Sequence, residues 1–255
     1  MKQDFETVSV STRKGVGTLL LNRPESRNAL NLRMCLDLLS AIEGLAADPK
    51  VKVVLVRGEG PVFCAGADLK ERKGKGPDWV AERRRRSFAA YAAMDACEKP
   101  MIAVVHGPAV GSGCEIASAC DFLLASEKAS FRYPEAVWGS VGATQRLPRI
   151  VGAAMAKELL FTGRVVGAEE ALRLRLANHV FPADTLAREA RTMAEQVAAA
   201  PPLAVRLAKR SIDLGGDTDF ARGVAIERMA IDRALADSEW KRGVTAFSKR
   251  KKAGA

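Results

Sequence analysis

Lys99-Pro100-Met101-Ile102-Ala103-Val104-Val105-His106-Gly107-Pro108-Ala109-Val110-Gly111-Ser112-Gly113-Cys114-Glu115 joins an apolar run, a glycine-punctuated turn and the opening of a helix without a break. Ile102 to Val105 reads as a strand, and a helix starts near Ser112. The same order occurs upstream. Val51 to Val56 is a β-branched strand running into the turn Gly58-Glu59-Gly60-Pro61, and a second helix start falls near Asp68. Phe122 to Ala125 is a further strand. Repeated strand–turn–helix order predicts an α/β protein with buried strands.

Outward from this centre, Val8 to Val10 and Val16 to Leu21 read as a hairpin turned around Lys14-Gly15. Leu30 to Leu45 has helical apolar spacing at Leu30, Met34, Leu38, Ile42 and Leu45, and Asp48-Pro49 ends it. From Ala153 onward the pattern turns helical, over Ala153 to Phe161, Ala168 to Leu176 and Leu186 to Ala199. Beyond Pro201-Pro202 come Leu203 to Leu214, Phe220 to Ala236 and a last segment, Ser238 to Ala246. The proline pair marks the seam, so residues 1–200 are read as the core and 201–255 as a helical appendage.

The chain has 255 residues, 48% of them hydrophobic, which suffices for a large core. Its start, Met1 to Glu6, has no apolar segment of signal-peptide length. Runs such as Met101 to Val105 are too short to span a bilayer. Elimination predicts a soluble cytoplasmic protein. Cys35, Cys64, Cys97, Cys114 and Cys120 form no C-x-x-C pair and read as reduced structural thiols. Two histidines and no zinc spacing argue against a metal site. The net charge of +10 admits an anionic partner, with local basic runs at Arg83 to Arg86 and Lys249 to Lys252. Aromatics are only 5% and do not interleave with the basic residues, which disfavours a single-strand nucleic-acid face.

Chemistry has two candidate places. Phe63 to Glu71 and Gly107 to Glu115 each combine small residues with a helix start, where free N–H groups could converge on one oxygen. Two carboxylates accompany them. Glu115 also reads as the far half of a capping box beginning at Ser112, and Glu135, after Pro134, also suits the first turn of a helix. As a pair near an oxyanion hole they would suit addition of water to a polarised double bond. His106 and His179 read as paired turn and strand-edge residues. No G-x-S-x-G elbow, P-loop or dinucleotide fingerprint is present.

Several stretches together resemble the crotonase superfamily, the enoyl-CoA hydratases and isomerases. Asn22-Arg23-Pro24 with Asn28-Ala29-Leu30 is similar to its opening signature, and Phe63 to Lys70 to its first oxyanion-hole segment. Lys99 to Val104, the loop to Glu115, and Cys120-Asp121 resemble the second. Phe131 to Glu135, Thr144-Gln145-Arg146-Leu147-Pro148 and the tail Phe247-Ser248-Lys249-Arg250 continue the pattern. The resemblance implies a crotonase-type spiral of ββα units with a C-terminal α-helical region that builds homotrimers or hexamers. It implies an oxyanion hole from the backbone N–H groups of Ala67 and Ser112, with Glu115 and Glu135 activating water and delivering a proton. Ala65, Gly66, Asp68, Leu69, Lys70 and Gly111 would line coenzyme A, with Ser26 and Ala29 near the adenine and Arg250 at the nucleotide. No metal or separate cofactor is expected, since coenzyme A enters as part of the substrate.

Three positions depart from the family's pattern. Ser112 stands where glycine is usual, Arg132-Tyr133 replaces small residues, and the stretch from Glu135 to Thr144 is shorter than the usual glycine-rich loop. The family's loop contributes an N–H that helps seat the water, a role expected here of Gly142. The implied activity is hydration of a trans-2-enoyl-CoA. The alternatives are an isomerase or another CoA-thioester reaction on the same fold and, from another class, a non-catalytic acyl-CoA- or RNA-binding protein.

Overall fold

The computed structural model describes residues 5–238, 240 and 241. The chain opens with the antiparallel hairpin β1 (Val8–Arg13) and β2 (Val16–Leu21), turned at Lys14 and Gly15, both at positive φ. Helix α1 (Leu32–Ala47) follows, capped by Asn31, whose side chain accepts from the Met34 N–H at 2.8 Å. The predicted Leu30 start is thus displaced by the cap. Asp37 on α1 is buried and accepts from the Thr7 N–H and hydroxyl, fastening the first strand to the helix.

Next come β3 (Val53–Gly58), the short helix α2 (Leu69–Arg72) and α3 (Pro77–Asp95). The sequence pattern predicts no element over α3. Its buried residues are only Ser87, Ala90, Tyr91 and Met94, and four arginines break its apolar stripe. Then β4 (Met101–Val105), β5 (Pro108–Val110) and α4 (Ser112–Ser118) form one ββα unit. A second begins with β6 (Phe122–Ser126) and β7 (Ser130–Arg132) and ends in α5 (Arg146–Val151). After these come α6 (Ala153–Thr162), β8 (Val165–Gly167), α7 (Ala168–Arg173), β9 (His179–Phe181) and α8 (Leu186–Ala199).

The β4–β5 and β6–β7 pairs each give one strand to each of two sheets. The larger has six strands in the order β1-β2-β3-β4-β6-β9, all parallel pairs beyond the first hairpin; the smaller is β5-β7-β8. Such three-residue strands are too short to announce themselves by periodicity, since their pairing partners lie far along the chain. The central strand β4 is buried along its whole length, as expected of a parallel sheet covered on both faces. Val54, Val56, Ala103 and Val105 face one core with α1, whereas Val53, Leu55, Ile102, Val104 and Leu124 face Leu186, Ala190 and Ala194 of α8. Burying each of these valine, leucine and isoleucine side chains contributes about 1.5–3 kcal/mol.

Helices α9 (Pro202–Gly216) and α10 (Phe220–Ala236) follow, pack on each other and contain no buried residue. Lys209 ties α9 to Asp121 at the start of β6. Ile212, Phe220, Met229, Ile231 and Leu235 are exposed. Among the described residues, no helix is long and apolar enough to cross a membrane. The predicted segment Ser238 to Ala246 and the basic tail with Arg250 lie outside the described residues, apart from the few positions up to 241.

Candidate active site

The segment after β3 is held by Asn28, a buried side chain at φ 54°. Its Nδ2 donates to the carbonyls of Glu59, Val62 and Phe63, and its Oδ1 accepts from the Arg23 N–H. A parallel bridge then joins Leu30 to Ala67, through Leu30 N–H to Gly66 O (2.7 Å) and Asp68 N–H to Leu30 O (3.1 Å). That pattern leaves the Ala67 N–H turned away from the bridge, with no acceptor among the described residues. Asp68 caps α2 by accepting from the Lys70 and Glu71 N–H groups, and it pairs with Arg23 at 3.0 Å.

The second loop is stitched to the first. Cys64 N–H donates to Pro108 O at 3.3 Å and Val110 N–H to Cys64 O at 3.0 Å. The crossing is tight: a Cβ on Gly66 (φ 92°) would lie 2.8 Å from Val110 O, and one on Gly113 would lie 2.3 Å from Cys64 O. Gly111, at φ 50° and ψ −110°, is the N-cap of α4 and turns the chain so that the helix begins at Ser112. The first N–H groups of a helix have no partner within it, and the Ser112 N–H has none elsewhere among the described residues.

Glu115 does not cap α4, which has no side-chain cap. Its carboxylate is buried. Oε1 accepts from the Ala143 N–H at 2.6 Å and Oε2 from Arg146 Nη1 at 3.1 Å, and Arg146 pairs in turn with Asp95. In the shortened loop, Ala143, at φ 55°, thus gives its N–H to Glu115. Glu135 lies in a turn over residues 135–139, not in a helix. The Ser140 N–H closes that turn on Glu135 O at 2.7 Å. Gly142 packs on the Glu135 side chain, and a Cβ there would meet its Cγ at 2.9 Å. Glu135 Oε2 is buried with no hydrogen-bond partner among the described residues. Burial pushes the Glu135 carboxyl above the usual carboxylate range, and the nearby Glu115 charge adds to that shift.

These parts surround one cavity of about 360 Å³. Ala65, Gly66, Ala67, Asp68 and Leu69 form one wall, and Gly111, Ser112 and Glu115 another, with Glu135 and Gly142 beside them. Of the predicted residues, Ser26, Ala29 and Lys70 do not line it; Ser26 Oγ and Ala29 O instead accept from the Arg23 guanidinium. The third wall was missed by the sequence reading. It is a face of α3 at helical spacing, Trp79, Arg83, Ser87 and Tyr91, flanked by Val80, Arg84 and Phe88. Four-residue spacing is the available signal, but the arginine run conceals it. The run itself divides: Arg85 and Arg86 pair with Glu82 on the outer face, while Arg83 and Arg84 face the cavity. His106 and His179 lie outside it, the former with Nε2 2.8 Å from Gly60 O.

The arrangement offers two unused main-chain donors from different loops, two carboxylates beside them and a partly apolar channel. It suits a carbonyl oxygen that gains charge while a proton moves nearby. The enoyl-CoA hydratase/isomerase family model matches residues 11–254. Crotonyl-CoA hydratase of Syntrophomonas wolfei is 36% identical over 258 residues, covering 98% of this chain and 97% of that protein. Among solved structures, an enoyl-CoA hydratase from Bacillus anthracis superposes with a TM-score of 0.94 at 34% identity, covering 96% of this chain and 97% of that one. An enoyl-CoA hydratase from Mycobacterium smegmatis gives 0.91 at 32% identity, with 96% and 97% covered.

Proposed function

This chain belongs to the enoyl-CoA hydratase/isomerase family, and from that premise we propose that it hydrates trans-2-enoyl-CoA thioesters to 3-hydroxyacyl-CoA. The observation that carries the reading is the presence of both Glu115 and Glu135 in one cavity with the free Ala67 and Ser112 N–H groups. The thioester oxygen accepts from those two donors, so charge drawn from the double bond onto oxygen is stabilised in place. Water sits between the carboxylates. Its oxygen adds to the β-carbon as one of its O–H bonds breaks, and that proton passes by way of Glu135, whose burial raises its proton affinity, to the α-carbon. Coenzyme A arrives with the substrate, and no separate cofactor enters the reaction.

A trans-2-enoyl-CoA mixed with the full chain should lose its conjugated-thioester absorbance. No loss with any chain length tested removes the hydratase reading. One observation favours an isomerase instead: both Glu115 oxygens are engaged, whereas Glu135 Oε2 has no partner among the described residues. One free base is enough to move a proton between carbons. In that case a 3-enoyl-CoA gains the conjugated band and a 2-enoyl-CoA takes up no water.

Gly142→Ala is expected to reduce turnover by as much as about 10²-fold, because the added methyl displaces Glu135 and small misplacements are costly. Thermal melting should change little beside that loss; wild-type turnover in a folded variant would separate the loop from the chemistry.

The exposed apolar side chains of α9 and α10, Phe220 and Met229 among them, are proposed to seat against other copies in a trimer or a hexamer. Sedimentation of the full chain as a monomer would rule this out.

A further inference from the structure

The charges around the cavity do not balance. Asp68 pairs with Arg23, and Glu115 with Arg146, which Asp95 shares; among the described residues, Glu135 is the one carboxylate of the cavity in no ion pair. Three arginines also line the space: Arg72, Arg83 and Arg84. None of them pairs with a carboxylate among the described residues. Arg83 is occupied, since its Nη2 donates to Leu30 O at 2.7 Å behind the Ala67 bridge. Arg72 extends from α2, on the wall formed by Ala65 to Leu69.

Arg84 differs from both in position. Its Nη2 donates to Ser140 Oγ at 2.6 Å, across the cavity from α3, and its charge is felt at Glu135. Ser140 belongs to the shortened loop, and its N–H is held by Glu135 O, so hydroxyl and guanidinium stand together on the Glu135 side of the cavity. The rest of that side is apolar: Val80, Phe88, Trp138 and Val141. An unpaired guanidinium with a hydroxyl beside it, set among apolar side chains, matches a carboxylate better than a hydrocarbon end.

We propose that Arg84 and Ser140 form a subsite for a carboxylate on the acyl group, so that the preferred substrate is an enoyl-CoA whose short chain ends in a second carboxyl group. This deepens the acyl-CoA reading above and rests on it. With the thioester oxygen at Ala67 and Ser112 and the α-carbon at Glu135, the chain runs on through the β-carbon toward Ser140 and Arg84. A terminal carboxylate a bond or two past the β-carbon then meets the guanidinium.

The anion Arg84 receives has two sources, the acyl carboxylate or a phosphate of coenzyme A, and saturated thioesters tell them apart without any turnover. Calorimetric titration of the full chain with glutaryl-CoA and with pentanoyl-CoA compares ligands of one chain length that differ in the terminal charge. Glutaryl-CoA is expected to bind about tenfold tighter or more. Because Arg84 is exposed, this preference should shrink as salt is raised from low to about 0.5 M. Arg84→Gln should bring the ratio of the two affinities close to one, and Arg84→Lys should keep part of it. Equal binding of the two thioesters by the wild-type chain overturns the proposal. So does an Arg84→Gln variant that weakens free coenzyme A by the same factor as glutaryl-CoA, because the anion is then a phosphate. Binding of neither thioester, nor of coenzyme A, removes the acyl-CoA reading itself. Tight, carboxylate-selective binding without hydration would leave the subsite standing and the hydratase reading lost.

Discussion

Glu135→Gln is expected to lower kcat for hydration by about 10²–10⁴-fold, the usual contribution of a positioned acid or base, while thioester binding persists. The amide keeps the shape of the side chain against Gly111 and Gly142 but cannot exchange a proton. The same substitution should stabilise the protein at neutral pH and above. Burial raises the Glu135 proton affinity in the folded state, so the wild-type carboxyl contributes stability that is complete below its unfolded pKa. That contribution is lost as pH rises through the raised folded value. Gln has no such loss. The melting temperatures of the two proteins should therefore nearly coincide in acid and separate, the variant above, as pH climbs past the ordinary value of 4.5. Calorimetry across that range checks the sign, and a variant that hydrates at more than half the wild-type rate would reduce Glu135 to a turn residue.

Glu115→Gln should also remove most turnover, on the order of 10²-fold or more, but with the opposite effect on stability. Here the buried carboxylate accepts two hydrogen bonds, one from the Ala143 N–H and one from Arg146. Bonds to a charged group are each worth about 1.5–3 kcal/mol. Arg146 keeps Asp95 and remains over the Tyr91 ring, so the net loss should fall at the low end of that range. A lower melting point together with slow turnover places Glu115 in both roles, structural and chemical. A lower melting point with normal turnover would restrict it to holding the loop at Ala143.

The pair also shows what was legible in the sequence. The strands were, because Val53 to Val56 and Ile102 to Val105 are apolar runs that end at glycine turns. The two donor loops were, because close crossing demands small residues, and glycine at 66, 111 and 113 spells that demand. Whether Glu115 caps its helix was not. The answer depends on Gly111 being the N-cap and on a contact with Ala143, 28 residues on, and neither follows from local spelling. Helix α3 was hidden for a related reason. Its inward face spends its positions on a cavity rather than on packing, so arginine and serine stand where leucine would have signalled a helix. The role proposed for α9 and α10 in seating other copies likewise has no local signature beyond their exposed apolar residues.

The stitching of the two donor loops bears on motion. Loops at functional sites are ordinarily the first parts of a protein to open. Here Cys64 bonds to both Pro108 and Val110, Leu30 holds Gly66 and Asp68, and the strands behind them are core. Neither loop can swing out without breaking the sheet that carries the other. Their breathing is coupled to unfolding of the whole domain, so the amides of Val110 and Asp68 exchange with solvent hydrogen only on the slowest timescale. The Ala67 and Ser112 amides, set in the same rigid frame but without an acceptor among the described residues, are expected to exchange early and to fall silent when a carbonyl arrives between them.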